Sequence, residues 1–455
     1  MTEGGLDGDA RIASVDDSLV IIGMWGQIAV ISAKTGKITP ARRRTLLHSR
    51  SSTESRPIVA DQRPPAPGRP FGPEPLWILG HNTNSIEAVN AALDQGSNAV
   101  EIDVTAYAHD LNALCIDHAG LMGDDPGRAS APAFEAFLRE LREVVDHRPE
   151  LCMVEFDLKP PASRPELGPV LSGAIRDILI RETTLSVILS VADVTTSHAD
   201  RPRGSSVFDR INGDVRAREG FMIDSDHDID GVAEFFLNRQ EVTRFGYGNG
   251  TAVPLVDEGM MVYRTPIEKA CWMRAVRGAP GFVEAWTVNS VDNLELYLRL
   301  GVNGLICDPE GIERVRDLLQ HGELGNRYRL AERSDDPMVP DNFAYGLTVV
   351  TTDKRLAGTD ASVAFTLSGD SGSASTTVDA SLHRRLESGS TSYVVLYSAD
   401  LGTLRSITVQ SDRSHLAPGW HLHSIVVESS RYGGKKTAGF DTWIDSADPV
   451  TRELG

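Results

Sequence analysis

The sequence predicts an α/β chain, a (β/α)8 TIM barrel followed by an antiparallel β-sandwich. Short apolar runs alternate with helical patterns from about residue 76 to 325, the signature of a parallel sheet. Eight such runs occupy about 250 residues, the usual span of one closed barrel. Beyond Pro340 the helical periodicity stops, and alternating runs broken by Gly, Ser and Asp take over, as in a sandwich.

Residues 1–75 stand ahead of the barrel. The apolar run 18–33, SLVIIGMWGQIAVISA, is shorter than the roughly 20 residues that span a bilayer and contains Gln27, so it predicts no transmembrane helix. Its small-residue end near Ala33 resembles a signal-peptide cleavage region, but the flank before it is acidic and Arg42, Arg43 and Arg44 follow it, the reverse of the usual order. Residues 34–75, with RRR, a Ser-rich patch and PPAPGRPFGPEP, read as a partly disordered linker.

The barrel is expected over 76–325, with strands WILG (77–80), AVEIDVT (99–105), ALCI (113–116), MVEFDLK (153–159), VILSV (187–191), GFMID (220–224), FVEAWTV (282–288) and GLIC (304–307). FEAFLRELREVV (134–145) and GIERVRDLL (311–319) carry apolar residues at three-to-four spacing and predict outer amphipathic helices. The sandwich is expected over 341–455, with strands in YGLTVVTTD, ASVAFTLSG, SYVVLYSAD, RSITVQSD and WHLHSIVVE.

A net charge of −19 argues against nucleic acid as a partner and against simple electrostatic docking on anionic bilayers. Cys115, Cys152, Cys271 and Cys307 lie in apolar segments without CxxC or zinc spacing and read as buried free thiols.

Chemistry gathers at the carboxyl ends of the expected strands, where barrel enzymes place their sites. Glu101 and Asp103 are two apart on a β-branched strand, so both face the lumen. Two inward carboxylates need compensation, by a hard divalent cation or by a buried salt-bridge network. Asp157 and Lys159 repeat the i, i+2 spacing in VEFDLK. His81 follows WILG and His118 follows ALCI, so two histidines stand at the same mouth, suited to acid/base or nucleophilic work.

GHNTNS (80–85), GSNAVEIDV (96–104), DHAG (117–120), FDLK (156–159), WTVN (286–289) and GVNGLICD (301–308), in this order, resemble the sphingomyelinase D / phospholipase D toxin family, within the glycerophosphodiester phosphodiesterase-like (PLC-like) barrels. The resemblance implies His81 and His118 as the acid/base or nucleophile pair, Glu101, Asp103 and Asp157 as Mg²⁺ ligands, and Lys159 on the phosphate. It implies Trp286 at a choline end of the pocket, where an aromatic face attracts a quaternary ammonium, with a plain core tryptophan as the alternative. Asn84, Asp224, Asn289 and Asp308 are further pocket candidates. The chain departs from the family at VEA before Trp286, at Asn289, and in LMGDDPGRAS, which lacks the family's cysteine-bridged loop.

The tail from Tyr345 to about Ile444 resembles a PLAT domain through YGLTVVTTD, AGTDASVAFTLSG, DLGTLRSITVQSD, GWHLHSIVVE and FDTWI. Such sandwiches bind membranes or proteins, sometimes with Ca²⁺; Trp420 and Trp443 fit a docking surface or a core equally. Together the resemblances imply a phosphodiesterase that removes choline or another alcohol from sphingomyelin or lysophospholipids, with a phospholipid or sphingolipid substrate, membrane contact through the PLAT-like unit, and a secreted or membrane-peripheral setting. The alternatives are a water-using glycerophosphodiesterase and a non-catalytic lipid-binding protein.

Overall fold

The computed structural model describes five short strands within residues 3–40 and then residues 72–118, 129–159, 162–193, 205–211, 215–225, 229–239, 241–250, 264–321, 323–340, 344–380, 385–414, 419–429 and 434–455. The apolar run 18–33 is divided between strands Ser18–Ile22 and Ile28–Ser32, which pair antiparallel. No described helix is long and apolar enough to cross a membrane. Most of the stretch expected to be a linker, and most of LMGDDPGRAS, lie outside the described residues.

The second unit is a closed barrel. Its strands are β1 (Glu74–Gly80), β2 (Ala99–Tyr107), β4 (Met153–Leu158), β5 (Ser186–Asp193), β6 (Glu219–Ser225), β7 (Phe245–Gly250), β8 (Phe282–Trp286) and β9 (Gly304–Cys307). All pair in parallel, and β1 closes the ring by pairing with both β9 and β2. One of the expected strand assignments needs correction, and the expected set lacks one barrel strand. ALCI is not a barrel strand: it belongs to β3 (Asp110–Ile116), which folds back antiparallel on β2 above the mouth, with Val104 opposite Ile116. The missing barrel strand is FGYGNG, β7, in which every second residue from Gly246 is glycine.

Those glycines are needed by their neighbours. A Cβ on Gly250 would fall 1.5 Å from the carbonyl oxygen of Trp286, and one on Gly248 would meet the Asp224 carboxylate. β7 gives up side chains so that its neighbours can fill the lumen. Below the mouth, Trp77, Met153, Ile188, Met222, Phe282 and Ile306 form a buried apolar floor, with Trp77 edge-on to Phe282 at 5.9 Å.

Two βα units share one local device. Helix α1 (Ile86–Gln95) is capped by Ser85 and ends at Gly96, φ 103°. Helix α4 (Val291–Leu300), after helix α3 (Arg264–Arg277), is capped by Ser290 and ends at Gly301, φ 108°. Glycine adopts this left-handed geometry without a Cβ penalty. Two residues later a buried asparagine tethers the next strand to its neighbour. Asn98 accepts from Ile78 N–H at 2.7 Å and donates to Leu76 O and Ala331 O at 3.0 and 3.1 Å. Asn303 accepts from Val283 N–H at 2.7 Å in the same way. The outer helices α2 (Phe134–His147) and α5 (Pro309–His321) bury the apolar stripes expected of them, Phe134, Phe137, Leu138 and Leu141 on the first and Ile312 and Val315 on the second.

After α5 the chain adds strand β10 (Tyr328–Leu330) to β1 and passes beneath the barrel, where Met338 packs close to Gly220 and Gly281. It then forms a sandwich of two four-stranded antiparallel sheets. One sheet contains β11 (Ala344–Thr351), β14 (Thr391–Tyr397), β16 (Trp420–Ser429) and β17 (Lys435–Ile444). The other contains β12 (Ser362–Gly369), β13 (Gly372–Asp379), β15 (Leu404–Ser411) and β18 (Val450–Glu453). Alternate residues such as Tyr345, Leu347 and Val349 fill its core, as period-two patterning requires. Trp420 is fully buried there, its indole N–H donating to Thr351 Oγ1 at 3.0 Å, which settles it as a core residue.

The sandwich is anchored on α3. Glu268, buried, accepts from Tyr393 N–H at 2.6 Å and pairs with Arg385 at 3.1 Å, while Trp272 packs against Tyr393. Arg327 lies 4.6 Å over the Tyr397 ring.

Replacing Asn98 with alanine takes the acceptor from the buried Ile78 N–H and one of two donors from each of Leu76 O and Ala331 O, a loss of about 2 kcal/mol. Chemical denaturation of the Asn98→Ala protein should show a clearly lowered midpoint; an unchanged midpoint would remove the asparagine tether as a determinant of the barrel.

Candidate active site

Strand parity builds the site. Glu101 and Asp103 of β2 stand in register with Glu155 and Asp157 of β4, so all four point into the lumen side by side. Ligand oxygens of Glu101, Asp103 and Asp157 lie within 4.8 Å of one another at the mouth. Lys159, just past β4, sets its ammonium 2.6 Å from Asp103 Oδ1 and 2.5 Å from Asp157 Oδ2. The β1–α1 turn fastens the acids from above. Asn82 N–H donates to Glu101 Oε2 at 2.6 Å, and Asn84 donates to Asp103 Oδ2 at 2.7 Å while accepting from the Asp103 N–H at 2.8 Å.

The protonation pattern follows from burial and neighbours. Burial lifts Glu101 well above the usual carboxylate range, with repulsion from Asp103 adding to it. Burial acts on Asp103 in the same direction, but the charges of Lys159 and His118 and hydrogen bonds from Lys159 and Asn84 outweigh it and hold Asp103 below its ordinary value. Burial alone would discharge Lys159; Asp157, Asp103 and Glu101 keep it charged and raise its pKa.

His81 leaves β1 at the mouth, its amide donating to Cys307 O at 3.0 Å. Its Nδ1 lies 2.8 Å from Asp308 Oδ1. Asn289 closes the arrangement, donating to Asp308 Oδ2 at 2.7 Å and accepting from the Asp308 N–H at 2.9 Å. The bond with His81 holds the Asp308 carboxyl below its usual range. This leaves Nε2 of His81 as the ring atom free of that contact, the arrangement that fixes a working tautomer. His118 follows β3, near enough for its charge to act on Asp103. Asp224 and Trp286 stand together across the lumen, and burial raises Asp224 well above its ordinary value.

The residues singled out from the sequence therefore converge on one mouth. Two that sequence reading passed over lie just beneath. Glu155 and Glu284 face each other, fully buried, and burial pushes Glu155 to about 7 and Glu284 well above its usual range. The i, i+2 rule that picked out Glu101 and Asp103 also selects Glu155 before Asp157 and Glu284 before Trp286.

A divalent cation fits this set. Among the described residues the lumen holds the carboxyl groups of Glu101, Asp103, Asp157, Glu155, Asp224 and Glu284 against the single ammonium of Lys159. Asp157 Oδ1 is buried and accepts no hydrogen bond. Carboxylate oxygens are the donors that hard cations such as Mg²⁺ and Ca²⁺ take.

Comparison with known proteins agrees with this geometry. Residues 72–338 match the family model described as dermonecrotic toxin SPH, and residues 345–454 match the PLAT/LH2 domain model. A dermonecrotic toxin of Sicarius peruensis is 24% identical over 291 residues, covering 57% of this chain and 98% of the toxin. One from Loxosceles cf. spinulosa is 23% identical over 278 residues with the same coverage. Among solved structures, a glycerophosphodiester phosphodiesterase from Parabacteroides distasonis aligns with 54% of this chain and 98% of its own, at 13% identity and TM-score 0.37. The coral 8R-lipoxygenase aligns over 25% of this chain and 17% of its own, at 24% identity and TM-score 0.23. With a matched segment that exceeds half its length, the chain belongs to the dermonecrotic toxin SPH family, the sphingomyelinase D-like phosphodiesterase enzymes, and carries a PLAT/LH2 domain behind the barrel.

Proposed function

We propose that the protein is a Mg²⁺-dependent phospholipase D-type phosphodiesterase that releases choline or another alcohol headgroup from sphingomyelin or lysophospholipids and leaves a cyclic phosphate. The observation that carries this reading is the meeting, at one barrel mouth, of a three-carboxylate cluster, a charged lysine and two histidines. Glu101, Asp103 and Asp157 are the proposed metal ligands; the bound cation supplies charge neutralisation for the phosphoryl oxygens.

The chain's own residues account for the remaining steps. In the proposed reaction the lipid's free hydroxyl oxygen bonds to phosphorus as the bond from phosphorus to the headgroup oxygen breaks. One histidine takes the hydroxyl proton, and the other gives a proton to the departing oxygen. His81, oriented by Asp308 and through it by Asn289, and His118, whose charge reaches Asp103, are the two groups proposed for these transfers. Lys159 adds positive charge beside the phosphate position, and Asn84 keeps the Asp103 carboxylate in place. Trp286 lines the headgroup end, with Asp224 beside it. The sandwich is the proposed contact with the membrane, with Ca²⁺ as a further ligand there, and the proposed setting is secreted or membrane-peripheral.

Phosphorus NMR of sphingomyelin and lysophosphatidylcholine incubated with protein and Mg²⁺ should show a cyclic phosphate. The signal should vanish with a chelator and fall by about 10²–10⁴-fold in His81→Ala and His118→Ala. A linear monoester would replace the intramolecular reaction with hydrolysis, and no turnover would overturn the reading for these lipids.

Asp308→Asn keeps the shape of the His81 contact but removes its charge. Turnover should fall by about 10²-fold, with a displaced pH profile and little change in Mg²⁺ affinity. Full activity would show that His81 is not positioned through Asp308.

The raised carboxyls of the lumen set a pH dependence. A carboxyl with its folded pKa raised holds its proton more tightly in the folded chain. Its stabilising contribution is complete below about pH 4 and is lost as pH rises through the folded value. For Glu155 that loss runs from the ordinary glutamate value up to about pH 7, and Glu101, Asp224 and Glu284 act in the same direction. The metal-free protein should therefore lose thermal stability from pH 5 to pH 8, and Mg²⁺ should raise Tm more at pH 8. Calorimetry at both pH values checks this; equal Mg²⁺ effects would contradict a cation in the acidic lumen.

A further inference from the structure

Among the described residues, the large apolar side chains that stand exposed are Leu111, Val170, Val291, Val339, Leu356 and Trp443. Chain direction places them. Leu111 is on β3, which folds back over the carboxyl end of β2. Val170 lies in the first turn of the short helix Gly168–Ala174 that follows β4, and Val291 opens α4 directly after β8. These three sit on the mouth rim. Val339, by contrast, follows Met338 on the barrel floor.

The two on the sandwich can be placed against the same axis. Helix α3 joins the carboxyl end of β7 to the start of β8, so its first turns are at the mouth and its last at the floor. Tyr393 and its neighbour Thr348 lie at the early turns, against Glu268 and Trp272. Tyr397 and its neighbour Ala344 lie near the floor, beside Gly301. Strand β11 therefore runs from floor to mouth, and the loop after it, with Lys354, Arg355 and Leu356, emerges at the mouth end. The Ala357 carbonyl of that loop accepts from the His421 amide. His421 is paired with Trp443 across β16 and β17, its ring 5.1 Å away. Core residues Trp420 and Leu422 flank His421, so Trp443 occupies the sheet face turned to the barrel.

We propose that the mouth rim, through Leu111, Val170 and Val291, and the sandwich edge, through Leu356 and Trp443, form one lipid-facing surface. It seats on a phospholipid bilayer with the barrel opening against the headgroups. This rests on the lipid-phosphodiesterase reading and adds to it a surface and an orientation. Scattered exposed apolar residues need no explanation, but five of six at the end where the site opens do. Lys354 and Arg355 beside Leu356, like tryptophan itself, suit the headgroup layer, where long cationic side chains keep their charge in water. The Glu268–Arg385 and Glu268–Tyr393 bonds hold both parts in one plane.

All four native cysteines are buried, so single surface cysteines can carry an environment-sensitive fluorophore. The full chain with Leu111→Cys, Val291→Cys, Leu356→Cys or Val339→Cys is labelled and titrated with phosphatidylcholine vesicles, with and without phosphatidylserine. The first three labels should report transfer into lipid over the same concentration range, and the label at position 339 should not. Leu356→Asp with Trp443→Asp should weaken vesicle binding by about tenfold or more. That double variant should still turn over a monomeric short-chain lysophospholipid at the parent rate.

Lipid entry by the sandwich label alone, an equal response at position 339, or no vesicle binding would overturn the proposal. Turnover of the monomeric substrate without coordinated label burial would leave the enzyme reading standing and remove this one. Coordinated burial without turnover of any lipid would do the reverse.

Discussion

The constraint on which this molecule depends is the neutralisation of acid inside its barrel. Carboxyl groups from β2, β4, β6 and β8 converge in a space where, among the described residues, one ammonium stands, that of Lys159. Like charges so close and so deeply buried cannot all ionise without counter-charge. The chain meets the problem at two depths. At the mouth the charges of Lys159 and His118 and the Asn84 amide of the β1–α1 turn hold Asp103 below its ordinary value. One layer down no cation pairs directly with Glu155 or Glu284, and burial raises both, Glu155 to about 7 and Glu284 well above its usual range. An upper layer short of positive charge above a lower layer whose carboxyls are raised by burial is an arrangement a divalent cation completes.

The scaffold is organised around that layer. β7 carries glycines at its inward positions because Asp224 and the Trp286 backbone already occupy the space. The apolar floor of Trp77, Met153, Met222 and Phe282 closes the lumen from below and lowers the polarity around the acids. Asn98 and Asn303, each two residues beyond a left-handed glycine, fix the starts of β2 and β9, whose far ends carry Glu101 and Asp103 on one and Asp308 beyond the other. Two copies of one local motif thus position groups on both flanks of the mouth.

The sandwich joins this machine through a buried charge rather than a flexible hinge. Glu268 sits on a barrel helix yet satisfies a backbone amide of β14 and a guanidinium of the sandwich. Breaking such a contact strands a buried carboxylate, so the two units share an orientation. That orientation brings the Leu356 and Trp443 edge to the end at which the barrel opens.

Sequence alone determined much of this, because period-two and three-to-four patterning are local properties. It gave the barrel and sandwich classes, the inward parity of Glu101, Asp103 and Asp157, and the placement of His81 at a strand's end. Motif resemblance offered Asn84, Asn289 and Asp308 as pocket candidates, but not the bond from His81 to Asp308, which joins residues 227 apart. Only the tertiary structure decided what depends on neighbours far along the chain. ALCI is apolar enough for a barrel strand, but the hairpin with β2 takes it out of the ring. FGYGNG has the composition of a turn, and becomes a barrel strand because its missing side chains make room for Asp224 and Trp286. Glu155 and Glu284 had the right parity, but their meeting required the barrel to close. The alignment of the sandwich with the mouth is likewise absent from any local pattern, since it follows from the packing of β11 and β14 against α3.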